Sequence, residues 1–334
     1  MFVAFDCEGP LTLNDNAFEY CKFKIPKGDY FFKQISRFDD YLADIKKLSG
    51  YKAGDTLKLI LPFLKVFGAT NEELKEFSKK TIIFLPGTKE LLNNLSKVVP
   101  VFIISTSYKP YLEALCEVTG FDMDRVFCTE LDFNLVEVPE TEKKEILSYY
   151  EEIIKLPEIE LPPEAESTTD LSSELLKVLD RLEEIFFEKI WNMEVGKFLR
   201  SVNPIGGKEK ALSCKKIAES LNTDFKNSMY VGDSITDVQA LELVREGGGV
   251  SVSFNGNRYA LKAAEFYALA KSPLIFTKVW DEFLKKGKDA LVFLSIDEGE
   301  FGKVPESDEE FKKLVEKSQN FRKKVRGEVI GDLG

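Results

Sequence analysis

At 334 residues the chain is long for one domain and calls for a core carrying insertions. Apolar residues make up 44% of it, with 27 Phe against 4 Met, enough for an aromatic-rich core; a net charge of −11 with no basic stripe argues against nucleic acid as a partner. Histidine is absent, which excludes Ser-His-Asp and Cys-His hydrolases, HExxH proteases and His-ligated zinc or haem, and leaves acid–base chemistry to Asp, Glu, Lys, Tyr or Cys.

The first predicted element is a buried strand over Phe2–Asp6, followed by Glu8 and a Gly9-Pro10 turn. The N-terminus enters this strand without the basic region of a signal peptide. Residues 13–82 read as helical, with Tyr30, Phe31, Phe32, Ile35, Phe38, Tyr41, Leu42 and Ile45 at helical spacing and breaks at Gly50, Gly54 and Gly68. A helix opening at Pro86-Gly87-Thr88 leads to an apolar run, Val98–Ile104, that ends in Ser105-Thr106-Ser107. Hydroxyls are thus expected where a strand meets its next helix. Val126–Thr129 is a further short strand.

An acidic insert follows: residues 137–190 hold 16 Asp/Glu against 6 Lys/Arg. Glu140–Lys155 and Ser173–Asn192 read as helices joined by a Pro- and Ser/Thr-rich loop through Pro157, Pro162 and Pro163. This segment reads either as a defined lid or partner surface or as a neutral surface excursion. Asn203–Lys208 opens a helix over Glu209–Leu221. The strand Ser228–Gly232 then runs into Asp233-Ser234-Ile235-Thr236-Asp237, and Gly248–Phe254 is another strand. The last helix, Phe311–Arg326, carries Lys312, Lys313, Lys317, Arg322, Lys323, Lys324 and Arg326; it reads as a solvated face or as a docking surface for an acidic protein partner.

Five cysteines without a CxxC pair read as reduced thiols of a cytoplasmic protein. Strand alternation turns Cys7 away from Asp6, so it reads as core filler rather than a nucleophile. No apolar run reaches the roughly 20 residues a membrane helix needs, so membrane insertion is not expected.

An acid ending one strand (Asp6), hydroxyls at the next (Ser105, Thr106), a lysine at a helix start (Lys208) and an acid pair on a later strand (Asp233, Asp237) belong at one sheet edge. Open α/β sheets bind ligands at the carboxyl ends of their strands, and two acids there can share a hard cation such as Mg²⁺. This order of motifs resembles the haloacid dehalogenase (HAD) superfamily of phosphohydrolases, and the chain is similar to an archaeal branch of it sometimes labelled hydrogenase-associated. The resemblance implies an α/β fold: a Rossmann-like three-layer core with a mostly parallel sheet, a helical cap after the first strand and a second, mainly helical insert. The boundaries that follow are 1–12, 83–135 and 200–285 for the core, 13–82 for the cap, 136–199 for the insert and 286–334 for a C-terminal extension with the basic helix.

By the same resemblance the chain is a Mg²⁺-dependent phosphomonoesterase for a small phosphorylated metabolite. Asp6 matches the nucleophile that forms an aspartyl-phosphate, and Glu8 stands where the family usually carries the Asp that serves as acid and base. Ser105, with Thr106 as its competitor, matches the phosphate-binding hydroxyl, and Lys208 the phosphate-binding lysine. Asp6, the Glu8 carbonyl, Asp233 and Asp237 match the metal site, where Asp237 would also orient the lysine. Alternative expectations are a weakly active or non-catalytic subunit of a larger, possibly hydrogenase-associated assembly, and a phosphotransferase.

Overall fold

A computed structural model describes residues 1–162 and 165–331; Pro163, expected in the loop of the acidic insert, lies outside the described residues. Seven strands form one sheet: β1 (Phe2–Phe5), β2 (Val101–Tyr108), β3 (Val126–Thr129), β4 (Ser228–Gly232), β5 (Val250–Phe254), β6 (Phe266–Leu269) and β7 (Glu300–Lys303). Their order is β3-β2-β1-β4-β5-β6-β7. The first six are parallel and β7 pairs antiparallel on β6. The architecture is therefore α/β with a mostly parallel sheet.

Strand alternation builds the layers. Val3 and Phe5 point into one apolar cluster with Leu91, Leu95, Phe276 and Trp280. Phe2 and Ala4 point into the opposite one with Cys214, Ile217, Leu241 and Val244. Both faces of β1 are buried throughout, which is why it reads as an unbroken apolar run. Cys7 lies in the first of these clusters, and burial raises its thiol pKa well above the ordinary range.

The hydroxyl run Ser105–Ser107 lies within β2 rather than beyond it. The strands β6 and β7 were not anticipated from the sequence: β6 is four residues long, and β7 holds one buried residue, Phe301. The extension after residue 285 thus completes the sheet before it forms the helix Asp308–Arg326.

The segments 13–82 and 136–199 fold as helices and share a single apolar core. Phe31 packs on Phe63 with ring centroids 4.8 Å apart, and Phe38 stacks on Phe186 at 5.7 Å. Ser173–Glu183 continues through a wide turn over Glu184–Lys189, which keeps Ile185 and Phe186 turned inward. The two segments are thus packed on each other through that core. Phe38→Ala is expected to cost about 3–5 kcal/mol, measured by urea unfolding. A double-mutant cycle with Phe186→Ala should show a coupling of about 0.5–1.5 kcal/mol; no coupling would mean that the two segments stabilise themselves independently.

Candidate active site

The sheet register brings the acids together. Phe5 is level with Ile103 on one side and Val231 on the other, so Asp6 and Asp233 leave adjacent strands at nearly the same height. Asp6 N–H donates to the Val231 carbonyl at 2.8 Å. Asp6 and Asp233 are 5% and 1% exposed, too little for charge to be carried without partners.

The partner is a lysine, and it is Lys210. Its side chain is fully buried, and its Nζ lies 2.7 Å from Asp6 Oδ2 and 2.7 Å from Asp237 Oδ1. Lys208, expected in that place, is exposed at the first position of the helix Lys208–Ser220. The turn before the helix sets the register: Gly207 N–H donates to the Thr236 carbonyl at 2.8 Å, fixing the helix start above the strand ends. A sequence signal existed. Lys210 heads the buried stripe Lys210, Ser213, Cys214, Ile217 and Ala218, the i, i+3, i+4, i+7, i+8 face, whereas Lys208 lies off it.

Asp237 sits beside Lys210 as an anchor. Its Oδ1 accepts from Lys210 Nζ and from the Tyr230 hydroxyl, each at 2.7 Å. Its Oδ2 accepts the backbone N–H groups of Asp233 and Ser234 at 2.9 and 3.0 Å. With a longer contact from the Ser234 hydroxyl at 3.4 Å, these donors hold the Asp237 carboxylate against Lys210. Gly232 makes room for this: a Cβ there would lie 2.4 Å from Asp237 Cγ.

Charge follows these contacts. Burial alone would raise the Asp237 carboxyl, but Lys210, the Tyr230 hydroxyl and the Asp233 N–H together hold the pKa below the usual value. Burial opposes charge on Lys210, yet Asp237 and Asp6 overcome it and raise its pKa. Burial, then Asp237, pushes Asp6 upward against the pull of Lys210. Glu8 is pushed up to about 8, first by burial and then by Asp15. Its Oε1 accepts the backbone N–H of Asn16 at 2.6 Å, at the first residue of the cap's leading helix. The extra methylene of Glu8 thus reaches the base of the cap.

Asp6, Glu8, Ser105, Thr106, Ser107 and Asp233, with Arg322 and Arg326, line one cavity of about 130 Å³. Ser105 is buried and its Oγ accepts the Ser107 N–H at 3.1 Å. The Thr106 hydroxyl donates to the Ile205 carbonyl at 2.9 Å, which favours Ser105 of the two as the free donor toward the cavity. The segment around Lys52–Gly54 packs against the site: a Cβ on Gly54 would lie 3.2 Å from Thr236 and 3.4 Å from Thr106, and Lys52 bonds the Pro204 carbonyl and pairs with Glu209, both at 2.8 Å.

Two residues of the site come from the C-terminal helix Asp308–Arg326. Arg322 Nη1 bonds Asp233 Oδ2, and Arg326 Nη1 lies 3.3 Å from the same oxygen. Both were expected on a solvated or docking face, but their side chains are only 3% and 7% exposed. Leu314, Ser318 and Arg322 are the buried residues of that helix, a four-residue spacing that marks its inner side.

The donor set suits a hard cation. Among the described residues, one carboxylate oxygen each of Asp6, Asp233 and Asp237 lie within 4.8 Å of one another, with no nitrogen or sulfur ligand, the chemistry Mg²⁺ prefers. Gly9, at φ +106°, cradles the group: a Cβ there would lie 2.2 Å from Asp233 Oδ2. Asp6, Asp233 and Asp237 are the carboxylates that could hold such a cation.

No family model matches the chain, and no curated protein does. Among solved structures, the gene product AF1437 from Archaeoglobus fulgidus is 33% identical with a TM-score of 0.84, over 100% of this chain and 98% of that one. Phosphoserine phosphatase in a substrate-bound complex (12% identity, TM-score 0.49, 83% of this chain and 97% of that one) and in its apo form (13%, 0.47, 86% and 98%) are partial superpositions from which nothing about this chain's chemistry follows. The chain belongs to the family of the AF1437 gene product, which it matches over its whole length.

Proposed function

We propose that the protein is a phosphomonoesterase acting on a small phosphorylated metabolite through an aspartyl-phosphate, with Mg²⁺ as cofactor. The observation that carries this reading is Asp6, paired at 2.7 Å with the buried Lys210 and lining a cavity of about 130 Å³. When bound, Mg²⁺ supplies positive charge that offsets repulsion between the carboxylate and the phosphate.

The side chains divide the work. An Asp6 oxygen forms the new bond to phosphorus as the bond to the leaving oxygen breaks. Lys210 orients Asp6 and balances its charge. The Ser105 hydroxyl donates to a phosphoryl oxygen. Glu8, raised to about 8 by burial and Asp15, holds a proton near neutral pH and gives it to the leaving oxygen. In the second half it takes a proton from the water that attacks the phosphoenzyme. The cap bonds of Lys52 and the small cavity favour a small substrate held away from bulk water.

Metal-dependent release of phosphate from p-nitrophenyl phosphate and a panel of small phosphate monoesters tests the reading. Glu8→Gln should lower kcat by about 10²- to 10⁴-fold with little change in KM. Unchanged kcat would remove Glu8 from the proton transfers. The arginines on Asp233 support a second reading, a chain with the superfamily's fold that turns over weakly; absence of turnover across the panel would select it. Transfer of phosphate to an added alcohol in preference to water would instead mark a phosphotransferase.

A further inference from the structure

The helix Asp308–Arg326 places two cations in the site that the proposed reaction leaves unused. Arg322 directs Nη1 to both the side chain and the main-chain carbonyl of Asp233, the latter at 3.3 Å. Arg326 directs Nη1 to Asp233 Oδ2 and its other nitrogens to the carbonyls of Leu13, at 3.3 Å, and Asn14. Ser318, one turn before Arg322, anchors the helix by donating to the Gly256 carbonyl at 2.6 Å. Both arginines line the cavity, and their donors are held by the Asp233 carboxylate and by main-chain carbonyls.

Leu13 and Asn14 begin the cap. Leu13 N–H donates to the Ile83 carbonyl at 2.8 Å, and Asn14 Oδ1 accepts the Ile83 N–H at 2.7 Å, so these residues join the two crossings between core and cap. Arg326 therefore ties the crossing at Leu13 and Asn14 to Asp233 through the last turn of a helix more than 300 residues away in sequence.

We propose that Arg322 and Arg326 are positioning residues that hold Asp233 in competition with the divalent cation, so that cation binding at Asp233 and docking of the helix Asp308–Arg326 oppose each other. The proposal rests on the metal site of the proposed function. Its physical basis is that a guanidinium and a dication cannot both take one carboxylate oxygen without strong repulsion in a site this buried. Linkage makes the effect reciprocal: whatever factor the arginines take from cation affinity, the cation takes from helix docking. The same displacement releases Arg326 from Leu13 and Asn14 and frees that crossing.

Two measurements on the full chain test this. Calorimetric titration with Mg²⁺, and with Mn²⁺ as a second probe, should show Arg326→Gln binding roughly 5- to 150-fold more tightly than wild type, the usual span of coupling between sites. Arg326→Lys, which keeps the charge, should stay close to wild type. Amide hydrogen exchange on wild type alone, independent of how any variant folds, should show residues 318–326 and 13–14 exchanging faster at saturating metal. Equal cation affinity in wild type and Arg326→Gln, or unchanged or slower exchange in that helix with metal bound, overturns the proposal and leaves the metal site standing. No binding of either ion by wild type or variant overturns the metal site and the proposal together.

Discussion

Asp6→Asn is expected to abolish turnover, by on the order of 10⁴-fold or more, the scale that removal of a covalent nucleophile produces. The amide keeps the shape of the carboxyl group but cannot form the aspartyl-phosphate. Folding should survive. Asp6 Oδ1 accepts the Cys7 N–H at 2.7 Å, a bond the amide oxygen can keep, while the amide nitrogen then faces Lys210 Nζ and loses the second bond. Against that loss stands the removal of a buried carboxyl that Asp237 and Asp233 both repel. Acid-quenched enzyme given radiolabelled substrate should carry label on a peptide containing Asp6 in wild type and none in the variant. Label at another residue, or wild-type turnover in Asp6→Asn, would remove Asp6 as the nucleophile.

What could be read from the sequence was local. Asp6 and Asp233 each end a short, fully buried strand, and an acid directly after an apolar run has few places to go except a sheet edge. The cap helices show in the spacing of Phe31, Ile35, Phe38 and Leu42, all buried. What was missed depends on contacts distant in sequence. Arg322 and Asp233 are 89 positions apart, and a guanidinium among six other cations of its helix looks like a solvated one. That cap and insert share a core follows from aromatic pairs such as Phe38 with Phe186, which periodicity within one helix cannot match to each other. Asp237 was recognised, but its donors come from Lys210, Tyr230 and the turn after β4, and their convergence cannot be read from the motif alone.

Lys210→Met and Lys208→Met should separate cleanly, and the comparison tests the register of the site. Lys210 is the cation between Asp6 and Asp237, at 2.7 Å from each and without exposure to solvent. Methionine fills most of its volume but leaves two buried acids without their shared counter-charge, a change that costs about 3–5 kcal/mol when one partner of a buried ion pair is removed. Part of that cost can be relieved by protonation of an acid, and for Asp6 this also blocks attack on phosphorus, so activity should fall even under conditions where the variant remains folded. Arginine should not rescue it, because the planar guanidinium is larger and the site holds a point charge between two oxygens. Lys208 is exposed on the first turn of the same helix, and Lys208→Met should change stability by no more than about 0.5 kcal/mol and leave kcat near wild type. Urea unfolding and kcat on the two variants decide the matter. Equal and small effects would mean that the Asp6–Lys210–Asp237 arrangement contributes neither stability nor chemistry; a large kcat loss confined to Lys208→Met would return the phosphate-binding role to the lysine at the helix start.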